Sequence, residues 1–189
     1  MNKYLFRILL VVLLIKLNPL MSIEGTFEIR SAAFFHASNR FRDIYENVGV
    51  SYQLETSAKF YDNIEGWGNL DWYSKKGKSI GFSDPTRVNI LNVSFGIKFP
   101  YQLTDQFIIY GGFGPSLSRI WLKNKSECTH DDSLSKLCVG GVLKTGIIYS
   151  INRYVFIDFF ADYLYQPVKF ERQINIGGLK AGLGVGIKY

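Results

Sequence analysis

Two residues with the chemistry of a hydrolase pair stand close together near the start of the chain. His36 and Ser38 are separated by one residue, and residues i and i+2 of a strand share one face. A histidine so placed can act as general base toward a serine nucleophile when a carboxylate orients its ring. Glu46 or Glu55 would supply that carboxylate. The alternative is a histidine that ends a strand, followed by a Ser-Asn turn.

The second group with possible chemistry is a pair of cysteines, Cys128 and Cys138. Both fall in a polar stretch, 123–138, that we predict to be one long loop. In an oxidising compartment they would form a disulfide, and closing so short a loop contributes about 2–3 kcal/mol. Two free thiols are the alternative. A zinc site with His130 would have three protein ligands where structural zinc takes four, so we expect no metal and no cofactor.

Two further patterns have structural explanations. Asp158 and Asp162 are paired carboxylates, but four positions along a strand separate them by about 13 Å, too far to act on one bond. The glycine-rich stretches 111–114 and 182–186 precede no helical pattern, so they are not phosphate-binding loops. We expect the aspartates to belong to an ion network and the glycines to leave room for opposing side chains.

Strands must position these residues, because apolar and polar residues alternate with a period of two. The alternation is clearest at 47–59, 91–99, 155–164 and 179–189. One face of each segment carries no formal charge, whereas the other carries Glu, Asp, Lys, Gly or Ser. Soluble strands usually have about 5–6 residues, and a strand that crosses a membrane needs about 9–11. The lengths therefore favour membrane-crossing strands.

We predict eight strands, with a bulge in the fifth near Pro115, because proline cannot donate a hydrogen bond to a neighbour. The predicted strands are 25–37, 46–61, 65–75, 87–100, 106–122, 139–151, 154–165 and 174–189. Short turns alternate with longer polar loops. This layout predicts an all-β fold, an eight-stranded antiparallel transmembrane β-barrel. The competing architecture is a soluble calycin-like barrel, which would hold its apolar face inside.

The interior of an eight-stranded barrel is just wide enough to be filled by side chains. Charges that point inward are stable only when they are paired and hydrogen-bonded. We therefore expect a salt-bridged interior and no wide pore. The residues predicted to form this lumen ion network are Glu28, Arg30, Glu55, Lys144, Asp158, Asp162 and Lys180.

The first 22 residues have the pattern of a secretory signal peptide. Lys3 and Arg7 precede an apolar core at 8–15, which is too short to span a bilayer, and Ser22 ends the segment. Removal of 1–22 lowers the net charge from +6 to +3. That modest charge, without a basic cluster, gives no reason to expect nucleic acid as a partner. We predict export, leaving 23–189 as one domain.

The whole mature chain resembles small outer-membrane β-barrels of the OmpA/OmpX type. Its last residues resemble the signal that such barrels present to their insertion machinery, and the residues concerned are Gly182, Leu183, Val185, Ile187 and Tyr189. Within that class, 41–45 and 177–189 resemble barrels of chlamydia-like bacteria. The resemblance implies a monomer in the outer membrane of a Gram-negative bacterium, with lipid and lipopolysaccharide as neighbours.

The stretch 36–39 resembles the His-x-Ser-Asn motif of outer-membrane lipid A deacylases, which are also eight-stranded barrels. That resemblance implies His36 as base, Ser38 as nucleophile and Glu46 or Glu55 as the acid. The family carries its motif late in the chain, whereas here it closes the first strand. We therefore expect a non-enzymatic protein with a structural, surface-contact or adhesion role. A deacylase-like esterase and a passive small-solute pore are the alternatives.

Overall fold

The computed structural model describes residues 24–45, 47–78, 85–124, 132–169 and 173–189. Eight long strands form one closed antiparallel barrel, in which each strand pairs with its neighbours in the chain order. Their bounds are β1 Gly25–His36, β2 Val48–Tyr61, β3 Ile64–Lys78, β4 Pro85–Gln102, β5 Phe107–Asn124, β6 Asp132–Ser150, β7 Val155–Tyr165 and β10 Gly178–Lys188. The barrel closes where β1 pairs with β10, from Thr26 opposite Lys188 to His36 opposite Gly178. The predicted fold class is confirmed.

Side chains alternate between a polar interior and an apolar exterior. In β2, Val50, Tyr52 and Leu54 are 51%, 61% and 42% exposed, whereas the residues between them, Ser51 and Gln53, are buried. The same outward parity continues in the other strands, at Val93, Phe95, Ile97, Phe99, Leu143, Ile147, Leu183, Val185 and Ile187. A soluble barrel has the opposite polarity, so the calycin-like alternative is wrong. Lipid tails suit such an outer surface, and closure of the sheet satisfies its backbone hydrogen bonds.

The connections differ between the two ends of the barrel. At one end, which we call the turn rim, the strands are joined by 62–63, 103–106 and 151–154. Both described chain ends lie there, because the backbones of Gly25 and Tyr189 exchange two hydrogen bonds of 2.9 Å. The other end, the loop rim, carries the longer connections. This alternation agrees with the sequence prediction.

Two of the loop-rim connections contain short elements that the sequence did not predict. Helix α1, Asn39–Tyr45, follows β1, and a small hairpin of β8, Pro167–Lys169, and β9, Gln173–Asn175, separates β7 from β10. The predicted start of the last strand at 174 is therefore too early. Within the described ranges, no helix is both long and apolar enough to cross a membrane.

The wall of the barrel is uneven in height, because β6 has 19 residues and β7 only 11. The last pair between them is Gly141 opposite Tyr165, so 132–140 extends toward the loop rim beyond the end of β7. On its other side this extension stays paired with β5, up to Asn124 opposite Asp132. The predicted loop 123–138 is therefore wrong at 123–124 and 132–138, which belong to strands, whereas 125–131 lie outside the described residues. Polar extensions above the bilayer need no alternating pattern, which explains the error.

The predicted bulge at Pro115 is also wrong. The pairs of β4 with β5 on either side, Ser94 with Ser116 and Ile97 with Phe113, keep one register, so no residue is inserted. Two glycines make the close approach here possible, because a Cβ on Gly114 would lie 2.8 Å from the Cα of Gly96. The register shift of the barrel lies instead between β2 and β3, at 59–61.

Candidate functional site

Arg30 stands at the centre of the lumen, fully buried and surrounded by carboxylates. Its Nη1 lies 2.6 Å from Glu55 and 3.2 Å from Asp162, and its Nη2 lies 3.0 Å from Asp158. Its Nε lies 3.5 Å from Glu28. A guanidinium supplies five donors in a rigid plane, so one arginine can face several carboxylates at once.

Two lysines extend this cluster. The Nζ of Lys144 lies 2.6 Å from Glu55 and 3.0 Å from Asp162. The Nζ of Lys98 lies 3.5 Å from Glu55 and 3.7 Å from Glu65. Lys98 was missing from the predicted network, although its inward parity is visible in the sequence. Glu55 is thus shared by three cations, which compensates the cost of burying its charge.

The strand register explains why these groups meet. Glu28 of β1 lies opposite Glu55 of β2, and Arg30 lies opposite Gly184 of β10, which in turn lies opposite Asp158 of β7. A Cβ on Gly184 would fall 3.0 Å from both Arg30 Cγ and Glu28 Oε2. The glycine therefore provides the space in which the arginine crosses the lumen.

A second ion pair lies apart from this cluster. Lys180 of β10 donates to Asp71 of β3 across the lumen, and its Nζ also lies 4.6 Å from the ring centre of Phe34. Asp71 was missed in the sequence because the third strand has the weakest alternation. The cavity beside this pair measures about 10 Å³, which is close to the space of a single water molecule.

The loop-rim half of the lumen is filled by apolar side chains. Phe41 and Tyr45 of α1 are buried there, as are Val168 of β8 and Ile176. They form one cluster with inward residues of the wall, namely Phe34, Tyr73, Val88, Ile90, Ile120, Cys138, Val142 and Leu164. Burial raises the pKa of the Tyr45 phenol, whose hydroxyl lies 3.1 Å from Thr86 Oγ1. We call this cluster the apolar plug.

Gln166 fastens the hairpin part of the plug to the wall. Its side chain accepts from Ser116 Oγ at 2.7 Å and donates to the carbonyl of Cys138 at 2.8 Å. Its backbone accepts from the Ile176 amide at 3.0 Å and donates to Asn175 Oδ1 at 2.8 Å. Gln166 is fully buried, and it covers part of the β6 edge that β7 leaves free.

The lumen is widest at the turn rim. A cavity of about 490 Å³ opens there, and Lys98, Ile108 and Phe156 are among its lining residues. Beyond it lie the Arg30 cluster, the Lys180–Asp71 pair and then the apolar plug. Among the described residues, the space inside the barrel therefore falls from a wide vestibule to a volume fit for one water.

The proposed catalytic pair is not assembled as a hydrolase would need it. His36 is buried, its Nε2 lies 2.9 Å from Tyr73 Oη, and its ring lies 4.1 and 4.3 Å from those of Phe34 and Phe41. Ser38 lies beyond the end of β1, where its carbonyl accepts from the Arg42 amide. No hydrogen bond joins these two described residues, and Glu46 lies outside the described part of the chain. Glu55, the other candidate acid, belongs to the Arg30 cluster.

The cysteines are placed differently from the prediction. Cys138 lies within β6, points into the apolar plug and forms no disulfide with a described residue, with its Sγ 3.4 Å from the carbonyl oxygen of Ser118. Cys128 and His130 lie outside the described residues. Within the described ranges, no cluster of metal-binding side chains occurs. The disulfide stays a prediction, but its partner on β6 is buried rather than exposed in a loop.

Comparison with known proteins identifies the fold. No protein-family model and no curated protein matches the chain, whereas several solved structures do. The attachment invasion locus protein Ail of Yersinia pestis, solved with the heparin analogue sucrose octasulfate, has a TM-score of 0.60 at 15% identity, covering 89% of this chain and 100% of Ail. Neisserial surface protein A gives 0.59 at 16%, covering 88% and 96%. OprG of Pseudomonas aeruginosa gives 0.58 at 11%, covering 88% and 94%.

This chain has the fold of a small eight-stranded outer-membrane β-barrel. In this barrel the residues of the predicted assembly signal lie on β10 or directly after it. Leu183, Val185 and Ile187 point outward and are exposed, Gly182 lies opposite Ala32, and Tyr189 pairs with Gly25 at the turn rim. An insertion machinery can read only side chains that are accessible, and the side chains of Leu183, Val185, Ile187 and Tyr189 are exposed. Their role in assembly stays a prediction, as does the resemblance to chlamydia-like barrels.

Proposed function

We propose that this chain is an integral outer-membrane protein of a Gram-negative bacterium, with a structural and surface-contact role and no catalytic one. One observation carries the proposal: an apolar exterior surrounds an interior that is filled with ion pairs and an apolar plug. Such a barrel can hold its place in a bilayer and present its loop rim, and beyond the vestibule at the turn rim it offers little space for a solute or substrate.

The orientation follows from the two rims. Outer-membrane barrels place short turns in the periplasm and longer loops outside the cell. The turn rim, with both described chain ends, would then face the periplasm, and α1 and the β8–β9 hairpin would face outward. The export signal predicted at 1–22 and the insertion machinery would deliver the barrel to this position as a monomer.

Fractionation and conductance together test this placement and the closed lumen. The protein is expressed in a Gram-negative host, its mature N-terminus is sequenced, and the outer-membrane fraction is probed for a heat-modifiable band. The purified barrel is then added to planar bilayers. We expect the band in the outer membrane and no steady conductance. A soluble periplasmic product would contradict the placement, and stable ion channels would contradict the closed lumen.

The lipid A of the same cells tests the absence of catalysis. Mass spectra are compared for cells that carry the intact protein, its Ser38→Ala variant or an empty vector. We expect three identical spectra, because His36 is engaged with Tyr73 and surrounded by aromatic rings. Loss of an acyl chain only with the intact protein would make this chain an esterase and would assign His36 and Ser38 to its active site.

Surface contact is tested at the connection between β5 and β6. Residues 125–131 are replaced by a short Gly-Ser turn, and adherence of the cells to a host-cell layer is measured. We expect lower adherence with an unchanged amount of folded barrel. A matched replacement of 103–106 at the turn rim should leave adherence as it was. Equal adherence of both variants would show that this loop has no role in adherence.

A further inference from the structure

The outward surface of β3 and β4 changes from apolar to basic close to the loop rim. Trp72 lies opposite Leu91 in the apolar zone. The next outward-facing cross-strand pair toward the rim, which we call the next row, is Ser74 with Asn89. The row after that pairs Lys76 with Arg87. Both of these side chains are exposed.

Two cations directly opposite each other on one face are unfavourable, since cross-strand Cβ atoms lie only about 5 Å apart. Neither Lys76 nor Arg87 has an ion pair or hydrogen bond with a described residue. The row continues onto β5, where the backbone of Lys123 takes the position opposite Arg87. Such a row of cations does not stabilise the sheet. An anion that bridges the cations would relieve their repulsion.

A third exposed cation lies on the same outer surface at a deeper level. Arg119 of β5 lies opposite Leu91, but its guanidinium carbon is 5.1 Å from the ring centre of Trp121, two residues closer to the rim. Its Nε also donates to Ser135 Oγ at 3.3 Å. Long basic side chains commonly extend in this way from an apolar level toward the membrane interface.

We infer that Lys76, Arg87 and Arg119, the outer basic patch, bind the phosphate group of an anionic lipid in the outer leaflet. This inference rests on the outer-membrane placement proposed above. The described outward positions of β3, β4 and β5 hold no Asp or Glu, so the patch is not neutralised from within. A lipid fits better than a free ion, because its acyl chains would continue over Trp72 and Leu91 where the patch borders the apolar zone.

The patch also has the aromatic border typical of a membrane interface. Trp72 of β3 is 59% exposed in the apolar zone, and the ring of Trp121 on β5 lies 5.1 Å from the guanidinium carbon of Arg119. Arginine on tryptophan keeps its charge available while the ring covers its apolar stem. Trp72 is exposed and Trp121 is half-buried on this outer surface, so their fluorescence reports which lipid lies against it.

Fluorescence quenching tests the inference. The folded barrel is reconstituted in vesicles of dibrominated phosphatidylcholine, whose bromines quench tryptophan. Unbrominated phosphatidic acid or unbrominated phosphatidylcholine is then mixed in at increasing fractions. We expect phosphatidic acid to restore fluorescence with a relative binding constant about fivefold to tenfold higher than that of phosphatidylcholine, as expected for a few basic residues near a membrane surface.

The double variant Lys76→Gln/Arg87→Gln should lower this preference to nearly one. Lys59→Gln/Arg153→Gln removes the same charge at the turn rim and should keep the preference of the intact protein. Equal preferences in the intact protein and the Lys76/Arg87 variant would overturn the lipid site. So would loss of the preference on addition of millimolar inorganic phosphate, which would indicate a general anion site.

Failure of the outer-membrane placement gives a different result. If the barrel does not insert, the brominated phosphatidylcholine will leave Trp72 and Trp121 unquenched before any second lipid is added. The heat-modifiable band on a gel checks the same point independently. Both readouts use the complete folded chain, and neither depends on the basic residues.

Discussion

The guanidinium of Arg30 and the carboxylate of Glu55 lie 2.6 Å apart on neighbouring strands, and both side chains are almost completely buried. The pair ties β1 to β2 at the centre of the barrel, and through Asp158 and Asp162 the same arginine reaches β7. A single side chain therefore links the walls on both sides of the strand at which the barrel closes.

Replacing Arg30 with methionine should destabilise the barrel strongly. The substitution leaves Glu28, Glu55, Asp158 and Asp162 with fewer cations, and removing one partner of a buried ion pair typically costs about 3–5 kcal/mol. Urea unfolding of the barrel in lipid vesicles, followed by the heat-modifiable gel shift, measures the loss. Arg153→Met at the exposed turn rim is the control. A difference below about 1 kcal/mol between the two variants would show that the cluster contributes little.

The Lys180–Asp71 pair should behave as a coupled unit. Lys180→Met leaves the carboxylate of Asp71 buried without its cation, whereas Lys180→Met/Asp71→Leu removes both charges. We expect the double variant to be more stable than the single one, because a buried ion pair can often be replaced by apolar residues without loss. A double-mutant cycle from urea unfolding gives the coupling free energy. Additive effects would mean that the two groups do not interact.

Much of the fold could be predicted from residues such as Val50, Gln53 and Leu54, because a closed barrel forces each strand to alternate between lipid and lumen. The strands of the sheet were all found, and the interior charges of β1, β7 and β10 followed from the parity. Asp71 was not found, since Gly66 and Gly68 weaken the alternation of β3. The apolar plug was not found either, because α1 and the β8–β9 hairpin are too short to show a period.

Substitution by valine should destabilise the barrel at Gly186 and leave it unchanged at Gly111. A Cβ on Gly186 would lie 2.7 Å from Phe156 Cε1 and 2.8 Å from Glu28 Cβ, whereas one on Gly111 meets nothing within 4 Å. Gly186→Val should therefore overpack the lumen at a cost of about 1–3 kcal/mol. Gly111→Val faces outward and should fold as the intact protein does. The folded fraction after refolding into detergent compares the two.

Loosening Gln166 should expose the thiol of Cys138. In a Cys128→Ser background, Gln166→Ala removes the partners of Ser116 and of the Cys138 carbonyl, and each unpaired buried group costs about 1–3 kcal/mol. We expect the maleimide labelling rate of Cys138 in the folded barrel to rise at least tenfold. Gln106→Ala in an exposed turn serves as control.

Equal labelling rates in both glutamine variants would indicate that the hairpin is held without Gln166. Rapid labelling of Cys138 already in the Cys128→Ser background would show that the apolar plug opens readily by itself. The same experiment with both cysteines present reports on the disulfide, because a Cys128–Cys138 bond would block labelling until a reductant is added.

The unequal lengths of β6 and β7 give the barrel a stepped edge. At about 3.3 Å per residue, β6 is roughly 60 Å long and β7 roughly 36 Å. The barrel wall is therefore higher at the loop rim on the β6 side than on the β7 side. A bulky molecule at the cell surface would meet the long strand β6 from one direction, and from the other it would meet α1 and the β8–β9 hairpin, which follow the short strands β1 and β7. Access to the top of the barrel is thus directional, and an antibody raised against α1 should be sensitive to what lies beside the protein in the membrane plane on that side.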